Sequence, residues 1–280
     1  MKKAIQIAYD ALFKTKCEIA SRVGFRHIAV NFNPLLDKTE AEWERMTEDI
    51  LRILSENQLS CVQTHPYYYD LRLSSEICKD GREFAIKQAV IASGKLGAKW
   101  CTLHPRTSLS TGRYRLQSQK DNEKKIEEYL TLAEKYDTGI AVENLPIFDG
   151  IVPVMPFYSH SYDDLALLVD GFNSSRVGIC WDTGHANMMD FDQAEAVLFL
   201  GARIKCTHIH NNFKYHDSHL SPENGDIPWE KVMSAFAEVG YEGPLTLETH
   251  CPYNDDALLE SFARHNLAGL EYLERLMKKV

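Results

Sequence analysis

The sequence predicts an α/β fold: a closed (β/α)8 barrel forming a single domain over residues 1–280. Three observations predict it. Short apolar runs alternate strictly with longer segments of helical period, and such alternation makes a parallel sheet. Eight strand–helix units in 280 residues match the size of a closed barrel. An open doubly wound sheet would want a glycine-rich turn after its first strand, and Tyr9-Asp10-Ala11 offers no glycine.

Taken in order, the predicted strands are Ala4–Tyr9, Arg26–Phe32, Ser60–His65, Lys99–His104, Gly139–Glu143, Val177–Asp182, Ile204–His210 and Pro244–Thr249. Val177-Gly178-Ile179-Cys180-Trp181 is typical, a short apolar run of the kind that forms a buried parallel strand. Helical patterns fill the intervals: Ala11–Val23, Glu40–Asn57, Ser75–Leu96, Gln117–Tyr136, Tyr162–Val169, Phe191–Leu200, Trp229–Val239 and Ala257–Met277. Gly24, Gly97, Gly139 and Gly240 stand where helices hand over to strands, the position that favours a left-handed cap.

The composition, 44% hydrophobic and 25% charged, is that of an ordinary globular chain. A formal net charge of -9 argues against nucleic acid or an anionic membrane as a broad partner. No apolar run approaches the ~20 residues that span a bilayer. Gln6 and Asp10 interrupt any signal-peptide core, and no small-residue cleavage site follows. The cysteines at positions 17, 61, 78, 101, 180, 206 and 251 form no CxxC pair. Four of them (61, 101, 180 and 206) fall inside predicted strands, so they read as reduced core residues of a cytoplasmic protein.

Three strand-to-helix loops are long, and in a barrel these open on the catalytic face. Pro66–Ser74 carries Tyr67, Tyr68 and Tyr69. Pro105–Leu116 carries Arg106, Arg113 and Arg115. Asn144–Ser161 mixes prolines with aromatic side chains and a methionine. Such loops suit either a lid over a small ligand or packing of the rim.

Chemistry gathers at the strand ends. The third predicted strand ends at His65, the fourth at His104, the fifth at Glu143 and the sixth at Asp182, with His185 close behind. The seventh carries His208 and His210, and the eighth ends at Glu248-Thr249-His250. Asp217 and His219 follow the seventh. One histidine or one acid at a strand end is ordinary rim polarity. Six consecutive strands ending in metal-capable side chains are not. Two Glu, one Asp and one His make a hard, mostly oxygen site. That set suits one divalent ion, Mn²⁺ first, with Mg²⁺, Co²⁺ or Zn²⁺ as alternatives. His208 and His210 share a face by period-two alternation, and pattern alone leaves both open.

Val142-Glu143-Asn144, Trp181-Asp182-Thr183-Gly184-His185, Arg203-Ile204-Lys205 through His208, Asp217-Ser218-His219-Leu220, Gly225-Asp226-Ile227-Pro228-Trp229 and Leu247-Glu248-Thr249 together resemble the xylose-isomerase-like TIM-barrel superfamily. That group holds sugar and sugar-phosphate isomerases and epimerases, related dehydratases and the endonuclease-IV type of apurinic-site nuclease. The resemblance spans essentially the whole chain. It implies Glu143, Asp182, His208 and Glu248 as metal ligands, His208 being preferred because the family's histidine precedes x-x-Asp. Asn211 replaces that Asp here. His185 matches a substrate-contacting or second-metal histidine. His65, His104, Asp217 and His219 match positions that hold extra zinc ions in the nuclease branch, and isomerases keep several of them without those ions. Homodimers and homotetramers are common in the group.

Two enzymes follow as expectations. The first is a divalent-metal isomerase or epimerase of a small sugar or sugar derivative. Glu143 and Glu248 would be its acid/base pair, working through a metal-stabilised enediolate; loss of a hydroxyl would make it a dehydratase. His65, His104, Asp149, His185 and Lys214 are its candidate substrate contacts. Arg106, Arg113, Arg115 and Lys214 are the cations available for a phosphate, but none lies in a phosphate motif. The second is a zinc phosphodiesterase acting on apurinic DNA, with His65, His104, His185, Asp217 and His219 as a second metal cluster. Its weakness is a surface with few clustered cations. A non-catalytic metal-binding barrel is a third reading without direct support.

Overall fold

A computed structural model describes residues 1–67, 81–108, 113–147, 156–189 and 191–278. Eight parallel strands run β1 (Lys3–Ala8), β2 (His27–Asn31), β3 (Ser60–His65), β4 (Trp100–Leu103), β5 (Gly139–Glu143), β6 (Val177–Asp182), β7 (Ile204–His208) and β8 (Leu245–Leu247). Their order in the sheet is β7-β6-β5-β4-β3-β2-β1-β8. The ring closes between β7 and β8 just past the end of β7. There Ile209 N–H donates to Thr246 O at 2.7 Å and Glu248 N–H to Ile209 O at 3.1 Å. The expected (β/α)8 barrel is the fold observed.

Helices α1 (Phe13–Val23), α2 (Glu40–Glu56), α3 (Arg82–Lys95), α4 (Tyr114–Lys135), α5 (Tyr162–Asp170), α6 (Thr183–Asn187), α7 (Gln193–Leu200), α8 (Trp229–Glu238) and α9 (Asp256–Met277) connect the strands. Strand alternation divides the side chains. Ile179 and Trp181 join the apolar layer between sheet and helices, where Trp181 Nε1–H donates to Gln193 Oε1 at 3.2 Å. Cys180 and Asp182 have the opposite parity, and Cys180 meets Ala141 and Cys206 in a small separate cluster. Beside it Gln63 Nε2–H donates to Thr102 Oγ1 at 2.9 Å, and Thr246 Oγ1–H to Gln63 Oε1 at 2.8 Å. This plug of small, polar side chains is the floor on which the next inward layer stands, and that layer is the site.

Several boundaries differ from the sequence reading. β7 stops at His208, two residues early, because Ile209 bonds across to β8 instead. The short helix α6 (Thr183–Asn187) was not anticipated; the Asp182 carboxylate caps it, Oδ1 accepting from His185 N–H at 2.7 Å. α4 begins three residues earlier than its period suggested. Gly139 is no helix cap. The left-handed residue there is Asp137 (φ 56°), whereas Gly139 opens β5 because a side chain would collide with the Trp100 ring.

The described cysteines are free. The four strand cysteines are buried; burial pushes the Cys61 thiol up to about 12 and Cys101 to about 11, which keeps those two protonated and inert. Among the described residues, no helix is long and apolar enough to cross a membrane.

Candidate metal centre

The barrel brings the predicted strand-end residues to one place. Glu143 and Asp182 are the last residues of β5 and β6, His208 is the last of β7, and Glu248 follows β8. Register aligns them, with Glu143 beside Cys180 and Asp182 beside His208. His208 Nδ1 lies 2.8 Å from Glu143 Oε1, 2.9 Å from Glu248 Oε2 and 3.8 Å from Asp182 Oδ2. One donor atom from each of the four falls within 4.8 Å of all the others. Ligands at ~2.1 Å from one ion stand ~3 Å apart when adjacent and ~4.2 Å apart when opposite, so the spacing fits a divalent ion.

Electrostatics points the same way. Burial would raise the Glu143 and Glu248 carboxyls. The charge of His208 outweighs it, with His104 beside Glu143 and His219 beside Glu248, and both are held well below the usual carboxylate range. The two ionised glutamates packed around one imidazole need positive charge. Glu143 Oε2 has none in good bonding geometry: it is buried without a hydrogen bond, although His104 Nε2 is 3.0 Å away.

Two further groups flank the first. His65 (last in β3) and His104 (after β4) bring their Nε2 atoms to 3.4 and 3.0 Å from Glu143 Oε2 and 3.2 Å from each other. On the far side Asp217 Oδ2 sits 3.1 Å from His185 Nε2 and 3.0 Å from His219 Nε2. A shared feature fixes these rings. His65, His185 and His219 each donate Nδ1–H to a backbone carbonyl, of Pro66, Asn144 and Glu248, at 2.7–2.8 Å. That bond leaves Nε2 facing a carboxylate. The contact is repulsive for a neutral ring and is relieved by a proton or a metal. In the metal-free protein a proton does it on the Asp217 side. Burial opposes a charged His219, but its bond to Asp217 and the Glu248 charge raise it to about 9; Asp182 and Asp217 likewise overcome burial and hold His185 well above its ordinary value.

Gln6 and Asn144, which the sequence reading gave no role, and His210, which it left as the alternative to His208, stand behind these residues. Gln6 Nε2–H donates to Glu248 Oε1 at 2.7 Å. Asn144 clamps the backbone of Asp182 from both ends, accepting from its N–H at 2.7 Å and donating to its C=O at 2.9 Å. His210, the runner-up to His208, places Nε2 at 2.9 and 3.0 Å from the two Asp182 oxygens. The inward parity of Gln6 on β1 and of His210 beyond β7 was the available signal. Lys214 is exposed on the β7–α8 loop and stays outside this cluster. Asp149, Tyr68 and Tyr69 lie outside the described residues. Arg106 is paired with Glu83, and Arg115 forks onto Asp164 at 2.6 and 2.9 Å.

Residues 17–272 match the xylose isomerase-like TIM-barrel family. A curated relative from Methanocaldococcus jannaschii, an uncharacterised protein, is 28% identical over 166 residues, 58% of this chain and 55% of that one. D-psicose 3-epimerase of Enterocloster bolteae is 25% identical over 123 residues, 44% of this chain and 37% of the enzyme. These matches thus span about half, or less, of the relatives' own lengths. Among solved structures, D-psicose 3-epimerase of Clostridium cellulolyticum superposes with a TM-score of 0.74 at 15% identity, covering 99% of each chain. The barrel, the strand-end cluster of acids and histidines and the family match over residues 17–272 agree: the chain belongs to the xylose isomerase-like TIM-barrel family.

Proposed function

We propose that the protein is a divalent-metal-dependent isomerase or epimerase of a sugar or sugar derivative. The observation that carries this reading is the pair of glutamates. Glu143 and Glu248 reach the same imidazole nitrogen, at 2.8 and 2.9 Å, from β5 and from beyond β8. They therefore flank one small space from two sides. The similarity to D-psicose 3-epimerase in sequence and fold supports sugar chemistry of this kind.

Glu143, Asp182, His208 and Glu248 would hold the ion, with Mn²⁺ the first candidate for so oxygen-rich a set. When bound, it supplies Lewis-acid polarisation of a substrate carbonyl and the neighbouring hydroxyl. The chain's residues do the rest. One glutamate takes the proton from the carbon beside the carbonyl, and the other returns a proton on the opposite face. That outcome is epimerisation; return at the adjacent carbon is isomerisation. Gln6 holds the Glu248 carboxylate in place, and His104 and His208 hold Glu143. His65, His104 and His185 would meet substrate oxygens. The test is wash-in of deuterium from D2O into ketoses and sugar acids by Mn²⁺-loaded protein. Glu143→Gln and Glu248→Gln should each abolish it while the thermal transition survives; full exchange in either variant sinks the assignment.

A second reading has its own observation. The three histidines pinned through Nδ1, together with Asp217 and the His65–His104–Glu143 group, are dressed as ligands for additional ions. A zinc phosphodiesterase would use them. The pairing of Arg106 with Glu83 and of Arg115 with Asp164 removes two of the cations such an enzyme would need for a DNA backbone. The isomerase or epimerase reading therefore stands first.

A further inference from the structure

His208 uses only one edge of its ring on the carboxylate cluster. Nδ1 faces Glu143 Oε1 and Glu248 Oε2, at 2.8 and 2.9 Å. The other nitrogen, Nε2, is buried and without a hydrogen bond. It carries a proton whatever Nδ1 holds. A neutral ring that gives its Nδ1 lone pair to an ion keeps its one proton on Nε2, and a ring protonated against the two glutamates has a proton on both nitrogens. Buried donors are nearly always satisfied, and a histidine that holds a metal normally gives its far N–H to an acceptor that fixes the ring.

The layer beneath His208 contains thiols. Cys180 lies beside Cys206 as Asp182 lies beside His208, and inward parity repeats every second residue. The two cysteines therefore stand one layer below the aspartate and the histidine. Both are fully buried and meet in one cluster with Ala141. The oxygens of that layer have partners: Thr246 Oγ1–H donates to Gln63 Oε1 at 2.8 Å, and Gln63 Nε2–H to Thr102 Oγ1 at 2.9 Å. Cys180 Sγ accepts from Gln63 Nε2–H at 3.4 Å, so the sulfur reaches across the barrel towards β3 and already acts as an acceptor. Its electrostatics is tied to the histidine. Burial pushes the Cys180 thiol well up, with Cys206 adding to the effect, and His208 pulls it back; on His208 burial is opposed by Cys180, ahead of Glu248 and Glu143.

We propose that Cys180 is the positioning residue of His208: its sulfur accepts the Nε2–H and so fixes the ring with Nδ1 towards the two glutamates. A neutral thiol suits this place. A carboxylate there would add another buried acid beneath Glu143, Asp182 and Glu248, whereas an S–H accepts the bond without bringing charge into a dry site. The proposal rests on the reading of His208 as a metal ligand and is independent of the substrate.

The test uses protein with isotope-labelled histidine nitrogens, metal-free and Zn²⁺-loaded, with the His208 ring signals assigned by their loss in His208→Gln. Wild type should show a His208 Nε2–H proton that is protected from exchange and displaced to low field by its hydrogen bond. Cys180→Ala should move that signal upfield, and Cys180→Ser, with an oxygen acceptor, should restore the displacement. Titration calorimetry with Mn²⁺ is the second reading. Cys180→Ala should weaken binding about tenfold, Cys180→Ser should recover most of the loss, and Cys206→Ala, which removes the same atoms from the same layer, should leave the affinity unchanged. Each variant is first checked for a cooperative thermal transition. A wild-type Nε2 without a hydrogen-bonded proton overturns the proposal with no variant needed. So does an unmoved signal in Cys180→Ala, and so does an equal loss of affinity in the alanine variants of both cysteines, which would trace to packing alone. If Mn²⁺ binds and Glu143→Gln abolishes binding while Cys180→Ala matches wild type, the metal reading stands and this proposal falls. If wild type binds no divalent ion, both fall.

Discussion

Gly184→Ala is a single-methyl change whose effect follows from the packing around Asp182. A Cβ at this position would fall inside the ring of His210. The ring has nowhere to retreat. His210 is fully buried, its Nε2 is bonded to Asp182 at 2.9 and 3.0 Å, and it stacks on His219 with centroids 4.2 Å apart and planes 17° from parallel. Forced overpacking costs about 1–3 kcal/mol, and loss of a hydrogen bond to a charged group costs about 1.5–3 kcal/mol. A total of about 3–5 kcal/mol lowers Tm by roughly 6–15 °C in a chain of this size. Displacing a group that orients a metal ligand should also weaken Mn²⁺ binding about 10- to 100-fold. Differential scanning calorimetry reads the first quantity and titration calorimetry the second. A double-mutant cycle isolates the cause. In a His210→Ala background the ring is gone, so the Gly184→Ala cost should shrink below about 1 kcal/mol. An additive cycle, or a Tm within about 2 °C of wild type, would refute the locked-ring argument.

The other predictions concern the ligand set and its support. Asn144→Ala removes both bonds to the Asp182 backbone, at a cost of about 1–3 kcal/mol; denaturant unfolding measures it, and a cost below about 0.5 kcal/mol refutes the clamp. Chelation should lower Tm. At a free Mn²⁺ concentration of ~100 Kd the ion adds about 2.7 kcal/mol, and Asp182→Asn should lose most of that gain. Elemental analysis of protein purified without chelator separates the two functional readings. About one ion per chain, unaffected by His104→Ala and His219→Ala, fits the isomerase or epimerase, whereas two or three zinc ions reduced by those variants fit the hydrolase.

How legible was this in the amino-acid sequence? The strand ends were legible because a parallel strand announces itself as an apolar run, and the side chain that breaks the run is the one left at the mouth. Glu143, Asp182 and His208 end β5, β6 and β7 for that reason. Helix α6 was hidden because Thr183–Asn187 is too short for a period and owes its start to the Asp182 carboxylate, which reads as a ligand rather than a cap. Gly139 misled because a glycine after a helix has two explanations, left-handed backbone or close packing, and only the Trp100 ring decides between them. Gln6 carried no motif. Its bond to Glu248 joins residues 242 apart in sequence, a contact created by the pairing of the first strand, β1, with the last, β8.

Closure also explains why the acids can be packed so tightly. Glu143, Asp182 and Glu248 arrive from three strands that a rigid, hydrogen-bonded ring holds in register, so none can swing away from the others to relieve repulsion. The chain compensates locally with imidazoles. His208 lies among all three, and His219, raised to about 9, brings positive charge to Glu248. Protons on these rings are the weaker solution, since each must be held in a dry site against burial. Glu143, Asp182, His208 and Glu248 could instead hold the divalent ion proposed above, which would neutralise the carboxylates directly. The ring that fixes the acids therefore concentrates negative charge at one point, which is where the proposed ion would sit and where the two glutamates would flank a substrate.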